Sequence, residues 1–256
     1  MKYNLLKDFY YMKRFFGKVP LERALSKLGI LSRSETRSLA LAGRVKVNGR
    51  TIKDPRFMVT PEKDLFSIDG RKIEKDIWTA ILFNKPGSVV TTRSDEKGRR
   101  TVFDVLPEEF SRLHPVGRLD MATTGLLLLT NDTRLSSWLT DPENSVERTY
   151  AVTVAGTVKE EELSAVRKGI TDAGDFLRPE EVKITKSCGK ETHLTVKLTE
   201  GKNREIRRIF SDIGHEVTKL KRISFGSFQL GNLQPGEFRR LKREEIPPHA
   251  DANFRH

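Results

Sequence analysis

Apolar positions near the start of the chain recur at helical spacing. Leu21, Ala24, Leu25 and Leu28 mark one face of a helix that Gly29 stops. A second helix begins at Ser32 or Ser34, where Ser32-x-x-Glu35 has capping-box spacing, and ends at Gly43 as a C-cap. The rhythm then changes. Val45-Lys-Val47-Asn48-Gly49-Arg-Thr-Ile52 alternates across an Asn-Gly pair, which predicts a tight hairpin. Residues 70–77 are polar without apolar rhythm and read as a linker. Beyond them, strand-like pieces at 80–83, 126–130, 149–154 and 194–198 alternate with helical ones at 159–170 and 203–214. The strands outnumber the helices. The expected fold class is therefore α+β: a small helix-and-hairpin domain, then a larger domain built on a mixed, mainly antiparallel sheet with flanking helices.

Length and composition bound this picture. The 256 residues suit two domains, and 36% hydrophobic content with recurring Leu, Ile, Val and Phe suffices for a core. The longest apolar run, Gly125 to Thr130, is far shorter than the ~20 residues a membrane helix needs, so it reads as a buried strand. Residues 1–16 are basic and aromatic but carry no apolar segment followed by a cleavage site; they are expected to be an extra helix or an extension rather than a signal peptide. Residues 247–256 read as a disordered tail. The lone cysteine, Cys188, has no disulfide partner and argues against a cysteine-based zinc site, which suits the cytosol.

Charge narrows the partner. Forty-seven Lys and Arg against 35 Asp and Glu leave a net +12, which points to a polyanion, with nucleic acid ahead of an anionic membrane. Residues 17–76 carry 14 basic against 8 acidic side chains, and Arg33, Arg37, Arg44, Lys46 and Arg50 crowd the second helix and hairpin. Charge alone fits a solvated helix as well as an RNA-binding face. The order helix, helix, "GRVKVNGR" closely resembles the small S-four RNA-binding domain, over roughly residues 18–64 of a domain expected at 17–69. That resemblance implies recognition of RNA shape and phosphates rather than base edges.

The candidate chemistry lies in the larger domain, residues 78–246. His114-Pro-Val-Gly-Arg118-Leu-Asp120-Met-Ala-Thr-Thr-Gly125 is a polar loop with one carboxylate, leading into the apolar strand. An aspartate in such a loop ordinarily caps a helix or forms a turn. The longer string "GRLDMATTGLLLLTND", however, strongly resembles the signature of pseudouridine synthases, specifically the RsuA/RluB/RluE/RluF group acting on ribosomal RNA. "ERTYAV" (147–152) is similar to that group's second motif, with Arg148 where lysine is commoner. "EGKNREIRRIFSDIGHEVTKLKR" (200–222) resembles the third, and "NKPGSVVTT" (84–92) the Lys-Pro loop, with its glycine one residue early. On a 3.6-residue helix, Ile206, Ile209, Phe210 and Ile213 fall on one side of the third motif and Arg204, Arg207 and Arg208 on the other.

Carried onto these motifs, the resemblance implies that Asp120 is the catalytic carboxylate, Tyr150 stacks on the target base and Arg207 is the ion-pair partner of Asp120. Leu220 belongs to the apolar wall beneath the base, while Arg118, Lys202, Asn203, Arg204 and Arg208 contact substrate. An arginine beside a carboxylate opposes the pKa rise that burial causes, so an Asp–Arg pair makes chemical sense. Uridine isomerisation needs no redox change and no group donor, so no cofactor and no metal are expected; His114, His193 and His215 are too scattered to suggest a site. The expected partner is ribosomal RNA, free or in an assembling subunit, met by a monomer. Two rival readings stay open: a non-catalytic RNA-binding or assembly factor of the same fold, and a hydrolase that removes bases.

Overall fold

The computed structural model describes residues 18–247 except Gly29, Glu62 and residues 74–76. The expected extension at 1–16, the helix stop at Gly29 and the tail beyond Pro247 lie outside the described residues. The chain forms two compact units that divide between Trp78 and Thr79, with residues 131–133 counted in the first.

In the first unit, strand β1 (Val19–Pro20) leads into helix α1 (Leu21–Lys27), and helix α2 (Arg33–Leu41) follows. The capping box at Ser32 forms: Glu35 N donates to Ser32 Oγ at 3.1 Å and Ser32 N to Glu35 Oε2 at 2.7 Å. Two orphan amides at the helix start are thereby satisfied. Strands β2 (Val45–Val47) and β3 (Arg50–Thr51) turn at Asn48 and Gly49, both with positive φ as a type I′ turn requires. Next come β4 (Met58–Val59), paired with β1, then β5 (Phe66–Ile68) and β6 (Arg71–Lys72). The second sheet of the unit runs β3-β2-β5-β6. Leu21, Ala24, Leu25, Ala40, Val45, Val47 and Phe66 fill the core between helices and sheet.

Strand β6 lies inside the segment read as a linker. Asp69 and Gly70 both have positive φ and close the β5–β6 hairpin, a signal as legible as Asn48-Gly49. What disguised it is the exposure of both Arg71 and Lys72: a polar edge strand has no buried face and so no alternation.

The second unit is a nine-stranded sheet. Its strands are β7 (Ala80–Lys85), β8 (His114–Pro115), β9 (Thr124–Thr130), β10 (Arg148–Ala155), β13 (Glu181–Ser187), β14 (Glu191–Leu198), β15 (Val217–Phe225), β16 (Phe228–Gln229) and β17 (Phe238–Arg240). A separate hairpin joins β11 (Ile170–Asp172) to β12 (Asp175–Leu177). The main order is β13-β14-β10-β15-β9-β7-β17, antiparallel apart from the central β9–β15 pair. This is the α+β, mainly antiparallel architecture that the strand count predicts. Leu126 to Leu129 are each fully buried, because β9 is central and covered on both faces, which explains the continuous apolar run.

Helices α3 (Thr133–Thr140), α4 (Glu160–Lys168) and α5 (Glu205–Asp212) flank the sheet. Leu163 and Val166 of α4 and Ile206, Ile209 and Phe210 of α5 enter the same core as Phe83, Leu127, Val152 and Val196.

Candidate active site

The loop before β9 is held rigidly around one carboxylate. Thr91 Oγ1 donates to Leu119 O at 2.8 Å, just ahead of Asp120. Just after it, Met121 O accepts from Ser88 N at 3.0 Å and from Lys85 Nζ at 3.3 Å, and Lys85 Nζ reaches Thr123 O at 2.8 Å. Asp120 itself is left as the free tip, its O accepting from Thr123 N at 3.0 Å within the turn. The loop re-enters the sheet at Gly125, with φ of +96°; a Cβ there would stand 2.3 Å from Arg222 O across the β9–β15 junction. Only glycine fits that approach.

Lys85 belongs to the Lys-Pro loop, for which sequence reasoning supplies no role. Its side chain is fully buried, and burial lowers its pKa to about 8 against the opposing pull of Asp120. The sequence signal was there: a lysine ending the otherwise apolar strand AILFNK. Buried lysine needs acceptors, and the loop carbonyls supply them.

Asp120 faces a cavity of about 620 Å³. Tyr150 from β10 and Leu220 from β15 line it, 9% and 7% exposed, together with Phe225. Arg118, Lys202, Asn203 and Arg204 line it as well. Arg204 Nη1 stands 3.8 Å from Asp120 Oδ2, both side chains partly exposed. The structure thus brings together Asp120, Tyr150, Leu220, Arg118, Lys202, Asn203 and Arg204.

Two expected residues lie elsewhere. Arg207 does not make the ion pair with Asp120; its Nη1 donates to Val217 O at 2.8 Å and its buried Nε has no hydrogen-bond partner, although Asp120 is near enough to oppose the pKa lowering that burial imposes. Arg208 is not free for substrate, because Nε and Nη1 are held by Asp172 and Asp175 at 2.5 and 2.8 Å. Helix α5 begins at Glu205, with Arg204 left-handed at φ +49° before it, so Arg204 escapes the helical stripe that grouped the three arginines.

Three further residues, which lie within the motifs but have no role assigned there, shape the cavity. Arg148 is buried and donates to four carbonyls, of Val146, Thr199, Glu200 and Leu139, at 2.8 to 3.2 Å. Arg148 and Arg222 flank the Phe225 ring at 4.9 and 4.7 Å from its centroid. Glu205 is also buried in the wall, and desolvation raises its pKa.

In the first unit Arg33, Arg37, Arg44, Lys46 and Arg50 are all exposed. Arg37 pairs with Glu22 at 3.0 Å and Arg44 is bidentate on Asp69 at 2.7 and 2.5 Å. One group among the described residues offers a cation a donor set: Cys188, Glu191 and His193, with ligand atoms within 4.8 Å of one another at the β13–β14 turn. None of the three lines the cavity. No helix among the described residues is long and apolar enough to cross a membrane.

A loop aspartate facing an apolar and aromatic slot occurs in a chain that also carries a basic helix-and-hairpin unit, and the comparisons with known proteins identify the class of enzyme. The RNA pseudouridylate synthase family model matches residues 79–212 and the S4 domain model residues 19–65. The chain belongs to the RNA pseudouridine synthase family, whose enzymes are isomerases. It is 35% identical over 231 residues to an uncharacterized RNA pseudouridine synthase of Aquifex aeolicus, covering 90% of this chain and 92% of that one. It is 35% identical over 228 residues to the ribosomal large subunit pseudouridine synthase B of Bacillus subtilis, covering 88% and 93%. A crystal structure of a pseudouridylate synthase superposes with a TM-score of 0.65 at 27% identity, over 89% of this chain and 98% of that one.

Proposed function

We propose that this enzyme isomerises a specific uridine of large-subunit ribosomal RNA, everted into the cavity beside Asp120. The observation that carries this reading is the bracketing of Asp120: fixed carbonyls on both sides leave one carboxylate at the edge of a slot walled by Tyr150 and Leu220. Its relatives named as ribosomal large subunit pseudouridine synthase B supply the substrate class.

The reaction breaks the bond from C1′ to N1, turns the base and forms the bond from C1′ to C5. N1 gains a hydrogen, and the C5 proton passes to solvent. Asp120 acts as a carboxylate whether it attacks the sugar, adds to the base or stabilises an elimination intermediate, and Arg204 Nη1 stands 3.8 Å from its Oδ2. Extruding the base costs a few kcal/mol. Stacking on Tyr150 returns ~1–3 kcal/mol. Phosphate contacts from Arg118, Lys202 and Arg204, and from Arg33, Lys46 and Arg50 of the first unit, supply the rest and make binding salt dependent.

The test follows tritium leaving C5 of labelled uridine in large-subunit ribosomal RNA. Wild type releases tritium and Asp120→Asn does not. A wild-type protein that binds this RNA and releases none would reduce the chain to an RNA-binding factor; loss of base mass would make it a hydrolase.

A further inference from the structure

The β11–β12 hairpin is too small to hold itself together; two short strands are marginal in water. It is tied to the active-site wall instead. Arg208 of α5 grips Asp172 and Asp175 on its two strands, and Lys202, a cavity-lining residue, donates Nζ to Phe176 O at 2.7 Å. None of its residues lines the cavity, but this bond ties the hairpin to the cavity wall.

Its apolar side chains divide. Ile170 and Leu177, direct partners across the hairpin, are buried, whereas Phe176, paired with Thr171 and on the opposite face from Leu177, is 54% exposed. The ring is nonetheless steadied: a Cβ at Gly169 would stand 2.5 Å from Phe176 Cζ and 2.8 Å from Cε2, so the far end of the ring rests on bare backbone. Arg178, two residues on and hence on the same face, has its Cβ against the same glycine at 3.1 Å from that position. Arg178 and Lys168 are both exposed, and neither makes an ion pair among the described residues. A lone exposed phenylalanine needs no explanation. One whose ring is seated over a glycine, with Arg178 beside the same glycine and its backbone carbonyl bonded to a residue of the active-site wall, has the makings of a base-and-phosphate subsite.

We propose that Phe176 is a stacking platform for an unpaired base of the RNA flanking the target uridine, with Arg178 and Lys168 neutralising its phosphates. This rests on the reading of the cavity given above. Stacking tolerates any base, so the platform holds the strand that the evicted nucleotide leaves behind without dictating its sequence.

The experiment uses the full chain with Phe176→Ala, Phe176→Leu, Phe176→Tyr and Phe176→Trp, binding single-stranded poly(A) and, as a polyanion without bases, heparin. Phe176→Ala and Phe176→Leu are expected to weaken poly(A) binding about 5- to 150-fold, the equivalent of ~1–3 kcal/mol per stacked base, with heparin affinity unchanged. Phe176→Tyr keeps wild-type affinity, which separates stacking from damage to the hairpin. Phe176→Trp keeps it too, and its emission above the wild-type background falls as poly(A) binds. Equal poly(A) affinity for wild type and Phe176→Ala, equal losses on heparin and poly(A), or emission from Phe176→Trp that poly(A) fails to quench would each overturn the proposal; the first would leave the exposed ring to a protein contact. On labelled ribosomal RNA, Phe176→Ala raises KM and leaves kcat unchanged. Absent tritium release by wild type alongside intact effects on poly(A) would sink the functional reading and spare the platform.

Discussion

Arg204 Nη1 stands 3.8 Å from Asp120 Oδ2, while Arg207, one turn further on, turns to Val217 O. The difference follows from the helix start: Arg204 is left-handed and precedes α5, so its side chain points at the loop rather than along the helical stripe. Arg204→Ala should therefore lower kcat about tenfold, with Arg204→Lys restoring part and neither changing the melting temperature much, as expected of a partly exposed pair. Arg207→Met should act mainly on stability. Steady-state tritium release and thermal melts of the two variants decide it, and an unchanged kcat in Arg204→Ala would return the role to Arg207.

Tyr150 is nine-tenths buried and lines the slot, so its ring rather than its hydroxyl is expected to matter. Tyr150→Phe should retain most of kcat, whereas Tyr150→Ala should lose about 5- to 150-fold, the worth of one stacked base. Complete loss in both variants would assign the work to the hydroxyl.

Lys85 is protonated below about pH 8 and then has a donor for each of Pro86 O, Met121 O and Thr123 O. The neutral amine has one donor fewer. Activity is expected to fall as pH rises through about 8, and Lys85→Met to be weakly active at every pH, without that alkaline limb. Stability moves the other way. The folded pKa lies below the unfolded one, so from about pH 8 to the ordinary lysine range the unfolded chain holds more protons, and this group's contribution to stability rises with pH. A kcat profile flat to about pH 10, the ordinary lysine range, would show that the loop does not depend on the charge.

Gly125→Ala places a methyl carbon 2.3 Å from Arg222 O and imposes a side chain at φ +96°. The clash is with backbone at the junction of β9 and β15, so no rotamer relieves it. A loss of ~2–4 kcal/mol is expected in denaturant melts, with the position of Asp120 disturbed in whatever folds. Wild-type stability would mean that the strands separate at no cost.

The elements with a buried face were legible. The capping box at Ser32, the Asn48-Gly49 turn, the run Leu126 to Leu129 and the apolar stripe of Ile206, Ile209 and Phe210 each match an observed element, because alternation and helical spacing are consequences of burying one side. The exposed strand Arg71–Lys72 buries nothing and left no such trace. In the site, Asp120, Tyr150 and Leu220 were found through motifs, and the structure brings all three to one cavity. The arginines were sorted less well. A guanidinium reaches several residues away from its own backbone, so spacing says which face carries it but not which acceptor holds it.

The chain alone therefore determined the kind of elements and their order, since these depend on local propensity and periodic burial, while the loop carboxylate was singled out only through the resemblance of its motif. Only the tertiary structure decided that Lys85 holds the Asp120 loop, that Arg208 is spent on Asp172 and Asp175, and that Phe176 is exposed while its carbonyl is held by Lys202. Those facts join residues 36, 36, 33 and 26 positions apart, as with Lys85 to Met121, Arg208 to Asp172 and to Asp175, and Lys202 to Phe176. Pairings at such separations are set by how the strands and helices pack, and no local pattern encodes them.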